Sequence, residues 1–207
     1  MIAIKPADSD RESGMSLVEL LVYSVLSIVV LTLVGSVLTA ALRSEQQVRS
    51  LSEATSLGQL VSRSVEEGIR NASSIDPPNE SDVNGELLRA RVAIGASAGA
   101  VKWECQAWYF APSTGSFYSA RDDSGAIAAP TSLNDLKSSP WTFLGKGIHR
   151  ADGESAFFGW VGETAGNSGR VVLRFKVSSK GTDLVLIPNT VVRRLPATGG
   201  TGPATCF

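Results

Sequence analysis

The feature that most constrains this chain is an apolar run near its amino terminus. No charged residue occurs from Leu20 to Leu42, a run of 23 residues. A helix of this length spans the hydrocarbon core of a bilayer, which is ~30 Å thick. Glu19 stands at the edge of the run, and a charge at the centre of the hydrocarbon costs at least ~2.5–3.5 kcal/mol. The sequence therefore predicts a membrane helix with a functional acid at its start.

A short polar leader precedes this helix. Residues 1–14 contain both signs of charge and end in Gly14. They lack the strongly basic n-region of a secretory signal, and the apolar run is longer than the roughly 7–15 residues of its h-region. Two alternatives stay open at this point: a secretory signal that is cut after Ala41, and a signal anchor that is not cut.

The octet Gly14-Met15-Ser16-Leu17-Val18-Glu19-Leu20-Leu21 resembles the class III signal of type IV pilin-like proteins. The resemblance implies that a prepilin peptidase cuts after Gly14 and that Met15 becomes an N-methylated amino terminus. It also implies that Glu19, the fifth mature residue, pairs with a terminal amine during filament assembly. Met at the first mature position departs from the commoner Phe of the family.

Beyond Arg43 the helix is predicted to become amphipathic. Apolar residues recur there at steps of three and four, as expected of a helix face that packs against a sheet. These residues are Leu57, Leu60, Val61, Val65 and Ile69. The helix is expected to end near residues 71–77, because Pro77 and Pro78 lack the amide donor and their rings clash with the preceding turn.

The rest of the chain has the alternation of β-strands. Strand-like runs lie near residues 88–94, 101–109, 117–120, 157–161, 171–177 and 184–192. We expect an α+β fold, with the long N-terminal helix packed on a C-terminal antiparallel β-sheet head, as in the lollipop architecture of pilins. The expected parts are a leader (1–14), a transmembrane and assembly helix (15–42), an amphipathic extracytoplasmic half (43–75) and a β-rich head (76–207). This plan is similar to that of J-type and W-type minor pilins.

The chain has two cysteines, Cys105 and Cys206. If the head lies outside the cytoplasm, its surroundings are oxidising and a disulfide between them is expected. Such a bond would close a loop of about 100 residues and contribute up to ~4.7 kcal/mol by loss of chain entropy in the unfolded state. The alternative is two free thiols.

The charge balance does not indicate a nucleic-acid-binding protein. The net charge is −1, and the chain without the leader is neutral because Lys5 and Arg11 are outnumbered there by three acids. Nucleic-acid binding requires a basic stripe or patch. Arg193 and Arg194 form the obvious local pair, and we expect them at a solvated strand end.

The sequence does not indicate an enzyme, a metal site or a cofactor. Ser97 lies in a G-x-S-x-G pattern, yet a nucleophile elbow needs a helix after its strand, whereas another strand is expected here. His149 is the one histidine, and no Cys/His ligand cluster accompanies it. Asp122, Asp123 and Asp135 do not follow the EF-hand pattern and are expected in solvated loops. No catalytic residue is predicted.

The tryptophans leave one question to the structure. Trp103 and Trp108 differ in parity along one predicted strand, so their side chains should face opposite sides. One of them then belongs to the core, and the other is free for contact with another subunit.

The resemblance to pilin-like proteins implies a structural and assembly subunit. It would be a minor pilin or pseudopilin of a type IV pilus, a type II secretion system or a DNA-uptake filament. The resemblance implies as partners the prepilin peptidase, other pilin or pseudopilin subunits, the membrane, and the inner-membrane assembly platform with its ATPase. The protein would cross the membrane once with an extracytoplasmic head and reach the cell surface after assembly. The alternative is an anchored extracytoplasmic binding domain that does not polymerise.

Overall fold

The computed structural model describes residues 16–79, 85–97, 100–162, 169–179, 182–194, 203 and 205–207. The predicted processing residues Gly14 and Met15 lie outside these ranges. The chain divides into two compact units, residues 1–46 and residues 47–207. The described part of the first unit is helical. The second unit contains the end of the same helix together with the strands.

One long helix, α1, extends from Leu17 to Arg70. Its first turn is closed by the Leu20 amide, which donates to the Ser16 carbonyl at 3.1 Å. The helix continues through Gly35 and ends at Arg70, one residue before the range of 71–77 expected from the sequence.

Nine strands are described after α1. They are β1 Ala72–Asn79, β2 Glu86–Ser97, β3 Ala100–Ala111, β4 Ser116–Asp122, β5 Trp141–Lys146, β6 Ile148–Arg150, β7 Phe158–Val161, β8 Arg170–Ser179 and β9 Thr182–Val192. The first five form an antiparallel sheet in chain order. In the second sheet β8 is central and pairs antiparallel with β6, β7 and β9.

This arrangement confirms the expected α+β fold of a long N-terminal helix and a C-terminal antiparallel β-structure. The strands form two sheets, and β1, β5 and β6 had not been anticipated. Pro77 and Pro78, which were expected only to end the helix, lie within β1 and fall in an irregular part of the β1–β2 register, between Asp76 and Asn79. Because β1 is an edge strand, missing amide donors are tolerated there.

The larger core lies between the last part of α1 and both sheets. Val61, Val65 and Ile69 are fully buried in it, as their spacing predicted. The prediction for Leu60 was wrong, since 48 % of this residue is exposed. The buried stripe passes instead through Ala54 and the glycines Gly58 and Gly68. Leu60 lies about 100° around the helix from Val61 and therefore points away from the core.

Two glycines allow α1 to approach the sheets closely. A Cβ on Gly58 would lie 2.8 Å from the Ile187 side chain, and a Cβ on Gly68 would collide with the ring of Trp108. The Trp108 indole Nε1 donates to Ser64 Oγ on α1 at 3.0 Å. The aromatic ring and the helix are thus fixed against each other by both shape and a hydrogen bond.

A smaller core covers the opposite face of the five-stranded sheet, which we call the outer face. Leu87, Cys105, Ala107 and Tyr109 are buried there among residues of the 123–140 connection and the C-terminus, which are Ile127, Leu136 and Cys206. Both faces of β3 are therefore buried.

The covered outer face corrects the expectation for the tryptophans. Trp103 and Trp108 do lie on opposite faces of β3, but they are only 1 % and 0 % exposed. Neither is available for contact with another subunit. The parity argument was sound, but it assumed that one face of the strand meets solvent.

A buried carboxylate links the two sheets. Glu86 on β2 is 3 % exposed, and its Oε2 accepts hydrogen bonds from the Phe157 and Phe158 amides at 2.7 and 3.1 Å. Its Oε1 accepts from the Arg150 guanidinium of β6 at 2.8 Å. With both oxygens paired, the buried charge is compensated.

Candidate functional site in the apolar part of the helix

The part of α1 from Leu17 to Leu42, which we call the apolar segment, exposes all of its large side chains. Each large hydrophobic residue in it is 49–81 % exposed. Apolar surface in water costs roughly 25 cal/mol per Å². Such a surface requires a covering of lipid or of other helices.

The dimensions of the segment suit a membrane. At 1.5 Å per residue the apolar segment is about 39 Å long, more than the ~30 Å of hydrocarbon in a bilayer. Its most apolar window has a mean hydropathy of 2.5, and it belongs to the one described helix that is long and apolar enough to cross. A β-sheet domain follows it in the chain.

Hydroxyl groups within the apolar segment find their acceptors on the helix itself. Thr32 donates to the Ile28 and Val29 carbonyls, and Thr39 donates to the Gly35 carbonyl at 2.7 Å. Ser24 and Ser36 bond three residues back in the same way. In hydrocarbon, where no water is available, this pairing leaves these donors satisfied.

Glu19 lies in the first turn of α1. It is the one charged residue in the apolar segment. The amide groups at a helix N-terminus carry partial positive charge, which favours an acid at this position. The Tyr23 hydroxyl donates to Glu19 Oε1 at 3.4 Å from one turn further along. The carboxylate remains exposed and can accept hydrogen bonds from a cation or an amine.

Sequence reasoning found Glu19 but missed Tyr23. The i, i+4 spacing of the two residues is the signal that would have identified the pair. The predicted partner of Glu19, the amine of Met15, lies outside the described residues. That pairing stays a prediction.

The predicted disulfide is present. Cys105 on β3 is joined to Cys206, with the two Cα atoms 5.3 Å apart and the residues 101 positions apart in sequence. Both cysteines are buried, at 1 % and 2 % exposure. The bond fastens the end of the chain to the outer face.

The G-x-S-x-G pattern is part of a β-hairpin. Ser97 ends β2 and pairs with Ala100 at the start of β3. His149 lies in β6, where its Nε2 is 3.3 Å from the Oγ of Ser178, a half-buried residue of β8. The structure therefore joins His149 to a serine other than Ser97, and the strand-to-helix geometry of a hydrolase elbow is not formed there.

The acids considered for a cation are engaged in local hydrogen bonds. The Ser124 hydroxyl lowers the pKa of Asp122, and the Thr131 hydroxyl and amide lower the pKa of Asp135. Asp123 lies 3.6 Å from the Lys102 ammonium. Within the described ranges, no three Asp, Glu, His or Cys side chains form a group that could hold a metal.

An open groove flanks the end of α1. One part, about 670 Å³, lies between α1 and strands β4 and β5, and a second part, about 450 Å³, lies beside Gly68. Glu104 and Gln106 of β3 face the second part, and Glu104 lies 4.0 Å from Arg121. Burial raises the pKa of the Glu104 carboxyl, an effect that Arg121 partly offsets.

The polar residues of this groove were missed in the sequence. Residues 104, 106, 108 and 110 alternate with 103, 105, 107 and 109 along β3. Residues 104 and 106 lie on the same side of β3 as Trp108 and Phe110, because side chains alternate along a strand. Two polar residues on this core-facing side were the signal that could have identified the groove.

Arg193 and Arg194 do not form a free basic patch. The Arg194 amide donates to the Arg70 carbonyl at 3.2 Å, and Arg193 Nη1 donates to the Ser73 carbonyl at 2.8 Å. The Arg194 amide thus satisfies one of the last carbonyls of α1, which lack partners within the helix, and Arg193 binds the neighbouring strand β1. The expectation of a solvated strand end holds for Arg194, which is exposed just after β9, but not for Arg193, whose half-buried side chain is bonded to β1.

Comparison of the chain with protein-family profiles, with curated proteins and with solved structures gave no match.

Proposed function

We propose that this chain is a prepilin whose mature form is a structural and assembly subunit of an extracytoplasmic filament. It would be a minor pilin or pseudopilin of a type IV pilus, a type II secretion system or a DNA-uptake system. The observation that carries the proposal is the exposed apolar segment with a single acid, Glu19, in its first turn. A disulfide-bonded β-sheet domain follows it.

The apolar segment is suited to the two places that such a subunit occupies, first the membrane and then the filament. Lipid tails are as apolar as leucine, so moving this surface from lipid to the packed helices of a filament changes its hydrophobic free energy little. Exposure to water would cost far more. The subunit can therefore leave the membrane only by joining other apolar helices.

Glu19 gives this association a register. An unpaired carboxylate among apolar helices is costly, and a terminal amine of a neighbouring subunit would compensate it. Pairing occurs at one axial offset between helices. Cleavage after Gly14 by the prepilin peptidase would create such an amine at Met15, which N-methylation leaves positively charged. The assembly platform would then add the subunit to the filament.

The disulfide supports an extracytoplasmic head, because disulfides form and persist mainly in oxidising compartments. The leader would then stay on the cytoplasmic side, where the prepilin peptidase acts. The same topology holds for the alternative of an anchored binding domain, so processing decides between them.

The deciding experiment is mass spectrometry of the mature amino terminus from membrane and sheared surface fractions. We expect a peptide that begins at Met15 and is heavier by one methyl group. An intact leader in cells with active prepilin peptidase would favour the anchored binding domain. A terminus at Leu42 would identify a secreted domain and end the assembly proposal.

Assembly itself is tested with Glu19→Ala. We expect normal cleavage but at least ~tenfold less subunit in sheared filaments, because the compensated charge that sets the register is lost. Glu45→Ala is the matched control, an exposed acid just beyond the apolar segment, and should assemble normally. Wild-type incorporation of Glu19→Ala would refute the role of Glu19.

A further inference from the structure

The end of the chain is held on the outer face by three contacts. We call residues 203 and 205–207 the C-terminal strap. The Pro203 carbonyl accepts a hydrogen bond from Arg91 Nε at 2.8 Å, Cys206 is bonded to Cys105, and the Arg89 guanidinium lies 5.9 Å from the centre of the Phe207 ring. The two arginines and Cys105 all belong to neighbouring strands, β2 and β3.

Arg89 is fixed by groups outside the strap. Its Nε and Nη2 donate to Asp76 Oδ2 at 2.9 and 2.7 Å, and its Nη1 donates to the Ile127 carbonyl at 3.3 Å. The guanidinium is therefore held in place by β1 and the 123–140 connection. Phe207 meets a cation that is already positioned.

Arg91 is also oriented independently of the strap. Its guanidinium carbon lies 4.4 Å from the centre of the Trp103 ring, and its Nη1 donates to Ser73 Oγ at 3.4 Å. The contact with Trp103 leaves Nε directed at the Pro203 carbonyl. Because a planar guanidinium loses little freedom when it is stacked, Arg91 is suited to receive the strap.

The closed strap also protects the bond it carries. Cys105 and Cys206 are 1 % and 2 % exposed, whereas the neighbouring Phe207 is 47 % exposed. A reductant must reach a sulfur atom to attack a disulfide, so access limits the rate. The strap must lift before the bond can be cut.

We propose that Arg89 and Arg91 position the C-terminal strap so that Cys206 meets Cys105, and that the closed strap then shields the disulfide from reductants. Closure occurs by thiol–disulfide exchange with an oxidised disulfide carrier. One thiolate attacks the carrier, the second displaces it, and the carrier leaves as a dithiol. Two thiols thus lose two protons and two electrons, and one sulfur–sulfur bond forms.

The proposal gives the strap a role in maturation. Before oxidation, Cys206 is not covalently tied to the cluster of Leu87, Ala107 and Tyr109, which the 123–140 connection covers only in part. The outer face is then completed only where an oxidant is present. Arg89 and Arg91 are positioning residues in this scheme and do not take part in the exchange.

The test uses the full chain in detergent micelles. A water-soluble phosphine reduces the disulfide and is itself oxidised to the phosphine oxide by uptake of oxygen from water. Maleimide traps the thiols, and mass spectrometry counts them. We expect Arg91→Gln to be reduced faster by on the order of tenfold, since a hydrogen bond to a charged group is lost. Reoxidation by oxidised glutathione should slow in the same variant.

Arg174→Gln is the matched control, because Arg174 is an exposed arginine paired with Glu154 at 2.7 Å on another sheet. It should be reduced at the wild-type rate. Arg91→Lys should fall between wild type and Arg91→Gln, since it keeps the charge but not the planar group. Equal reduction rates in wild type, Arg91→Gln and Arg174→Gln would overturn the proposal.

A second variant keeps the test decisive if Arg91→Gln loses its β-sheet circular dichroism. Phe207→Ala removes an exposed ring and does not touch either core. We expect it to be reduced faster than wild type by a few-fold, in line with a cation–π contact at an exposed site. An unchanged rate in this variant would contradict the role of Arg89.

Discussion

The two halves of α1 share one backbone ladder but meet different surroundings. In the apolar segment, Leu17–Leu42, every large side chain is exposed. In the stretch Gln47–Arg70, which we call the head segment, one stripe is buried against the sheets. Helix formation itself therefore does not distinguish the halves. They differ in the surface that covers their apolar side chains, since the sheets of the same chain cover the head segment and no described residue covers the apolar segment.

Gly35 in the apolar segment and Gly68 in the head segment show the same difference in their surroundings. A Cβ at Gly35 would meet nothing within 4 Å, whereas a Cβ at Gly68 would collide with Trp108. The head segment is fitted to a fixed partner within its own chain. The surface of the apolar segment is not fitted to any described residue, which suits a partner that is fluid or is another helix.

The largest effect on head stability should come from a core deletion in the head segment. Ile69→Ala removes a fully buried side chain and should lower the free energy of unfolding by about 2–5 kcal/mol. Denaturation of the full chain in detergent, followed by tryptophan fluorescence, measures this, because all four tryptophans lie beyond residue 100. Val34→Ala in the apolar segment should leave the curve unchanged. A similar loss in both variants would erase the distinction between the halves.

A smaller effect is expected from adding a methyl group to each glycine. Gly68→Ala should lower the free energy of unfolding by about 1–3 kcal/mol, because the Trp108 ring must move away from α1. Gly35→Ala has open space and should not destabilise the head. The same fluorescence curves give the comparison. If Gly68→Ala were neutral, the close approach of α1 to β3 would be wrong.

The smallest effect concerns pH and the carboxylate of the groove beside Gly68. Because the pKa of Glu104 is raised in the folded state, its contribution to stability is present at low pH and is lost as the pH rises above the ordinary glutamate value of about 4.3. Glu104→Gln should therefore gain stability relative to wild type over the range of pH above this ordinary value. Melting temperatures across this range measure the difference.

Asp135→Asn is the control with the opposite sign. The pKa of Asp135 is lowered, so its contribution is present above the ordinary aspartate value and is lost as the pH falls. This variant should lose stability relative to wild type as the pH rises. If Glu104→Gln and Asp135→Asn responded to pH in the same direction, the assigned burial of Glu104 would be contradicted.

The sequence predicted those parts of the fold that depend on local pattern. The uncharged run and the i, i+3/4 stripe gave α1, and alternation gave the central strands β2, β3 and β8. The short strand β6 has three residues, too few for a periodic signal. β1 was hidden by its prolines, because their tolerance depends on a position at a sheet edge.

The candidate site was predictable for the same reason. Glu19 could be identified from the local sequence, because it is a single acid in an otherwise uncharged apolar segment. The burial of Trp103 depends instead on residues far away in the chain. Trp103 lies on the outer face of the sheet. This face is closed by the C-terminal strap, which the disulfide joins to β3 from 101 positions away in the sequence. Such long-range covering leaves no mark in the local pattern.

Glu86 has a consequence for how the head comes apart. Glu86 belongs to the five-stranded sheet, and both of its oxygens accept hydrogen bonds from the second sheet, namely from Arg150 of β6 and from the amides at the start of β7. Separating the sheets would therefore leave a buried charge unpaired. Breaking one side of a buried ion pair costs about 3–5 kcal/mol. Partial melting of one sheet is therefore disfavoured. We expect both sheets to unfold in a single cooperative transition, with equal calorimetric and van't Hoff enthalpies.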